Sequence, residues 1–149
     1  MALLTGTYKS TLDDKGRLSL PSRLRTLLFQ NLLYITKGIQ DCLWVFPPEQ
    51  WESVSEKMLS SASVSLEKLS LVQYRFISPS QEIEIDKAGR IAVPASLREF
   101  AGLNKDCMIL GLGKSIEIWD LEQFNAFQES NKGRHKEILE EMGPMTIFR

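Results

Sequence analysis

Residues 11–25 read TLDDKGRLSLPSRLR, and residues 84–98 read EIDKAGRIAVPASLR. The two stretches align at an offset of 73 positions, and that single offset holds without a gap far beyond the turn. Over residues 7–51 it pairs ten identities: Asp13/Asp86, Gly16/Gly89, Arg17/Arg90, Pro21/Pro94, Leu24/Leu97, Arg25/Arg98, Asn31/Asn104, Gly38/Gly111, Glu49/Glu122 and Gln50/Gln123. Chance at average residue usage gives roughly three. Like-for-like apolar pairs fill the spaces, among them Leu12/Ile85, Leu18/Ile91, Leu20/Val93, Val45/Ile118 and Phe46/Trp119. Any fold for this chain must therefore house one unit twice. Two copies make a duplication, since a solenoid needs at least three.

Each copy reads β-β-α-β-β-α. Residues 7–12 and 17–20 are β-rich and flank a turn whose glycine permits positive φ, which predicts a hairpin. In the second copy, EIEID and RIAV alternate polar and apolar residues as half-buried strands do. Pro21 and Pro94 suit the first turn of a helix. After them, Leu24, Leu27 and Leu28, or Leu97, Phe100 and Ala101, fall on one helical face, and Gly102 marks a helix stop. A second hairpin follows in each copy. The second helices open at Pro48 and at Asp120, where Gln123 three residues on resembles a capping box. The predicted organisation is a first unit over 7–54, a helical connector over 55–78 broken at the SSAS of 60–63, a second unit over 80–127, and a tail over 128–149 with no assigned role.

Composition narrows the functional classes. Net charge is −1, so a strongly basic, non-specific nucleic-acid coat is excluded and any nucleic-acid role needs a local patch. There is no ~18-residue apolar run of the kind that spans a bilayer. The opening MALLTGTYKS lacks the basic n-region and long apolar stretch of a signal peptide, and the expected location is cytoplasmic. With two cysteines, Cys42 and Cys107, there is neither a disulfide framework nor a clustered metal-ligand spacing. Both read as small buried thiols. His135 is the only histidine, and no nucleophile motif or Gly-rich phosphate loop accompanies it, so no enzyme, cofactor, metal or small-molecule substrate is expected. Trp44, Trp51 and Trp119 read as core or subunit interface.

The turn residues divide by chemistry. Asp13 and Asp86 open their turns, where a carboxylate bonds nearby backbone amides and pairs with the arginine four residues on. Gly16 and Gly89 are backbone choices. Lys15 and Arg17 are candidates for contact with DNA, together with Lys9 and Arg23 in the same copy and Lys87 and Arg90 in the other. The first copy carries a net +3 over residues 9–25, and the second a net 0 over 82–98. The first hairpin is thus the electropositive one. A two-stranded ribbon fits the major groove, where arginine bonds guanine O6 and N7 together. Arg25 and Arg98 follow the buried leucine of each first helix and read as snorkelling core-edge residues or as inter-subunit ion-pair partners.

Two Asp-x-x-Gly-Arg turns, each leading into a strand, a proline and a Leu-Arg helix, with FPPEQW and WDLEQF at the aromatic-to-helix junctions, resemble the MraZ family. The resemblance covers residues 7 to about 127. It implies an α+β fold in which duplicated swapped-hairpin units of the AbrB type form one pseudo-twofold β-barrel core with peripheral helices. It also implies a ring-shaped homo-oligomer. The implied function is a sequence-specific, nucleoid-associated transcriptional regulator. Such a protein represses its own division and cell-wall gene cluster by binding direct repeats of promoter DNA. The rival reading is an antitoxin-like protein-interaction module, against which the second unit and the short, mixed-charge tail both count.

Overall fold

A computed structural model of the chain describes residues 2–60 and 64–143. Its elements run β1 (Leu4–Thr11), β2 (Arg17–Ser19), α1 (Ser22–Arg25), β3 (Leu32–Lys37), β4 (Leu43–Phe46), α2 (Pro48–Leu59) and α3 (Leu66–Val72). A π-helical turn, Gln73–Ile77, extends α3. The second half has β5 (Gln81–Glu84), β6 (Arg90–Ala92), α4 (Ala95–Ala101), β7 (Asp106–Gly113), β8 (Ile116–Asp120), α5 (Leu121–Ser130) and α6 (His135–Glu141). The architecture is mixed α+β with six α-helices among the described residues, none long and apolar enough to cross a membrane. The expected break over 60–63 and the tail beyond 143 lie largely or wholly outside the described residues.

Strand pairing departs from the sequence reading in one respect. The segments flanking each Asp-x-x-Gly-Arg turn do not form a hairpin ladder. A single bridge, Leu12 to Leu18, joins the two sides of the first turn. Beyond it β1 pairs antiparallel with β7, from Leu4↔Gly113 to Thr11↔Asp106, and β2 pairs antiparallel with β6 of the other copy. The reason lies in burial. Leu18, Leu20, Ile91 and Val93 are buried and complete one apolar face only when the two short strands lie side by side. The second hairpins, β3–β4 and β7–β8, pair as expected.

The larger sheet has the order β1-β7-β8-β4-β3-β5, and β2-β6 form a separate ribbon. Exchanging each strand for its repeat equivalent reverses this order and leaves the sheet unchanged. Two cross-strand pairs join residues related by the offset itself, Leu18↔Ile91 in the ribbon and Trp44↔Glu117 between β4 and β8. Both pairs therefore lie on the pseudo-twofold axis. The main core gathers Leu18, Leu24, Ile91 and Leu97 from ribbon and helices against Leu33, Ile35, Val45, Ile109, Ile116 and Ile118 of the sheet. Truncating one such leucine to alanine costs about 2–5 kcal/mol.

The two copies diverge where local chemistry differs. α4 runs seven residues and ends at Gly102, whose φ of 60° places it in the left-handed region. The aligned residue in the first copy is Phe29, to which that conformation is costly. α1 accordingly stops at Arg25, short of the predicted helix, and Leu27 and Leu28 pack half-buried beyond it. At the other junction, Asp120 Oδ2 accepts from the Gln123 N–H at 3.2 Å, the aspartate half of the expected capping box, while Pro48 opens α2.

Candidate nucleic-acid interface

Each Asp-x-x-Gly-Arg turn is a closed hydrogen-bonded unit. Gly16 N–H donates to the Asp13 carbonyl at 3.1 Å, and Asp13 N–H donates to the Arg17 carbonyl at 2.9 Å. One carboxylate oxygen of Asp13 accepts from the Lys15 and Arg17 N–H groups at 3.0 and 2.8 Å, and the other accepts from Arg17 Nε at 2.8 Å. The second turn repeats the pattern. Asp86 accepts from the Ala88 and Arg90 N–H groups at 2.9 Å each and from Arg90 Nε at 3.2 Å. Gly16 and Gly89 have φ of 77° and 79°, which β-carbon-bearing residues rarely adopt. Both aspartates are held below the usual carboxylate range, first by the Arg17 or Arg90 backbone N–H, with the Lys15 or Ala88 N–H and the guanidinium adding to it. Asp13 and Asp86 thus close their turns through these bonds, with Gly16 and Gly89 at the positive-φ positions.

The ribbon joins these turns into one surface. Its register, Arg17↔Ala92, Leu18↔Ile91 and Ser19↔Arg90, buries Leu18 and Ile91 and turns Arg17, Ser19, Arg90 and Ala92 to the opposite face. Arg17 and Arg90 are diagonal neighbours across the two strands, about 7–8 Å apart. Both remain one-third exposed despite their aspartate pairs. Among the described residues their only side-chain hydrogen bonds run from Nε, so the terminal guanidinium nitrogens of each are uncommitted. Lys15 and Lys87 are exposed on the two turns. Arg23 is exposed on α1 just past the ribbon. Lys9 is exposed on β1, whose neighbouring Ser10 hydroxyl donates to the Ser19 carbonyl at 2.8 Å. The charge difference between the two sequence copies therefore does not separate two hairpins, because both turns flank one ribbon.

Arg25 and Arg98, read from sequence as core-edge or inter-subunit residues, instead join the turns across the repeat. Arg98 Nη1 donates to the Val93 carbonyl at 2.7 Å, Val93 N–H donates to the Gly16 carbonyl at 2.9 Å, and a Cβ on Gly16 would overlap the Arg98 guanidinium. The mirror arrangement has Arg25 Nε on the Leu20 carbonyl at 3.0 Å, Leu20 N–H on the Gly89 carbonyl at 2.9 Å, and the Arg25 guanidinium against Gly89. The signal was present in the sequence as a surface arginine repeated identically in both copies. The glycine it packs on, in the other copy, was not.

The aromatic residues lie elsewhere. Trp51 and Trp119 are buried, and Trp44 and Trp119 each donate an indole N–H to Glu117, at 3.1 and 2.7 Å. Cys42 and Cys107 are both buried.

The model of a family described as "MraZ protein, putative antitoxin-like" matches residues 3–71 and 76–142, two segments whose starts stand 73 residues apart. A protein of Treponema denticola named Transcriptional regulator MraZ is 45% identical over 140 residues, covering 94% of this chain and 97% of its own. A Treponema pallidum (strain Nichols) protein of the same name is 47% identical over 123 residues, 83% of each chain. One from Heliobacterium modesticaldum is 37% identical over 140 residues, 94% of this chain and 96% of its own. A repeated turn, a ribbon built from both copies and a family match over nearly the whole length lead to one conclusion: the chain belongs to the MraZ family.

Proposed function

We propose that the chain is a sequence-specific DNA-binding transcriptional regulator that reads promoter direct repeats through the β2–β6 ribbon. The observation that carries this is the ribbon itself, whose inner face is locked into the core while its outer face offers two diagonal arginines between lysine-bearing turns. The printed name of the relatives, Transcriptional regulator MraZ, supports the same reading. A two-stranded ribbon fits a major groove about 12 Å wide, and arginine paired with guanine O6 and N7 is the commonest specific contact there. The aspartate pairing favours this role. By holding Nε, Asp13 and Asp86 fix each guanidinium plane and leave the terminal nitrogens for a base. Lys15, Lys87, Lys9 and Arg23 supply phosphate contacts, which set register and salt dependence.

In the finer reading the two units, 7–54 and 80–127, are AbrB-type swapped hairpins wrapped into one barrel-like core and joined by the 55–78 connector. The chain closes into a ring, represses its own division and cell-wall gene cluster, and resides on the nucleoid. A ring presents one ribbon per subunit to successive repeats, so modest contacts compound through effective concentration.

The test is fluorescence anisotropy with a duplex taken from upstream of the chain's own gene, across a salt series. Arg17→Ala weakens binding about 5- to 150-fold per site, the worth of one base-reading pair. Arg90→Ala weakens it too, and Lys15→Ala lowers the log–log salt slope by about 0.9. Full affinity in all three variants, with elution volume unchanged, places DNA recognition elsewhere. Retention of a partner protein in place of the duplex in a pull-down selects the antitoxin-like reading.

A further inference from the structure

We infer that Arg25 and Arg98 are crossed positioning residues, each clamping the turn of the opposite repeat unit, so that the first helix of one unit holds the turn of the other. Three links close each circuit. The Gly16 carbonyl is held by Val93 N–H, the Val93 carbonyl is held by Arg98, and the Arg98 guanidinium packs back on Gly16. Gly89, Leu20 and Arg25 form the second circuit with the units exchanged. Neither arginine is within ion-pair distance of a carboxylate among the described residues, whereas Arg17 and Arg90 both are. Each clamp therefore also sets an uncompensated positive charge under a turn whose own aspartate and arginine nearly cancel.

Pseudo-symmetry gives the circuits their logic. The ribbon is three residues per strand, too short to stay rigid alone, and its centre is the Leu18↔Ile91 pair on the axis. Rigidity at its two ends has to come from outside the strands. The first helix of each unit provides it, because Pro21 or Pro94 turns the chain straight from the ribbon into the helix that carries the clamp. A fixed turn holds Asp13 and so the Arg17 fork, which lowers the ordering cost on contact with a rigid duplex. This second consequence rests on the DNA-reading proposal. The clamp itself does not.

Amide hydrogen exchange on the full chain separates the two. Arg98→Ala speeds exchange of the Lys15, Gly16 and Arg17 amides roughly tenfold, as expected for loss of a charge-assisted hydrogen bond, and leaves Ala88, Gly89 and Arg90 at their original rates. Arg25→Ala does the reverse. Exchange that rises in the variant's own unit, or equally in both turns, overturns the clamp, as does no change. Should Arg98→Ala fold poorly, Arg98→Lys serves. It keeps a donor for the Val93 carbonyl but loses the planar cover over Gly16, so the same crossed pattern is expected at smaller amplitude, and its absence is equally fatal. A crossed exchange pattern with unchanged affinity for the upstream duplex keeps the clamp and removes turn rigidity from DNA binding.

Discussion

Gly16 offers a direct measure of how much the crossed circuit contributes to folding. Its φ of 77° is matched by Gly133 at 83°, yet a Cβ on Gly133 meets nothing within 4 Å whereas one on Gly16 meets the Arg98 guanidinium. Alanine at either position bears the left-handed backbone cost, about 1 kcal/mol. At Gly16 the guanidinium must also swing away, which is sterically easy for a flexible side chain but breaks its bond to the Val93 carbonyl, a charge-assisted contact worth about 2 kcal/mol. Gly133→Ala should thus cost about 1 kcal/mol and Gly16→Ala about 3, or drops in melting temperature of roughly 3 and 10 °C for a chain of this size. Melts at one protein concentration measure both, since assembly makes the midpoint concentration-dependent. The sharper assay is a double-mutant cycle. With Arg98→Ala in the background the collision is gone, so the Gly16→Ala penalty should shrink to that of Gly133→Ala, a coupling of about 2 kcal/mol. Additive effects refute the argument that Arg98 occupies the Gly16 site.

Three further outcomes follow from the same geometry. Asp13 and Asp86 titrate below the ordinary carboxylate value in the folded chain, so their stabilisation is complete above pH about 4 and fades as pH falls through the depressed value; Asp13→Asn/Asp86→Asn should flatten the acid limb of the stability curve, and an unaltered limb contradicts this. Burial pushes the Cys107 thiol to about 11 and Cys42 higher still, so neither should react with a thiol reagent at pH 8 until denaturant is added; rapid labelling of the native chain would falsify the burial argument. Light scattering should return a particle well above twice 17.0 kDa, and a monomer at working concentration would remove the ring from the proposal.

The sequence alone determined the duplication, the element order and the chemistry of each turn. Those properties are local or periodic. An aspartate reaching the amides two and four residues on needs no distant partner, and apolar residues at Leu18, Leu20, Ile91 and Val93 announce buried faces wherever the strands go. The Gly102 stop and the Asp120 cap were legible on the same grounds. Only the tertiary structure decided which strands meet. A period of two says that a strand has an inner face but is silent on whose backbone completes its ladder, so the predicted hairpin gave way to β1–β7 and β2–β6 pairs that cross the repeat. The placement of Arg25 and Arg98 was hidden for the same reason. Each arginine bonds a carbonyl only five residues back, but the glycine it packs on belongs to the other copy and leaves no mark on spacing; the buried apolar face shared by the two copies is what draws one unit's arginine onto the other's glycine.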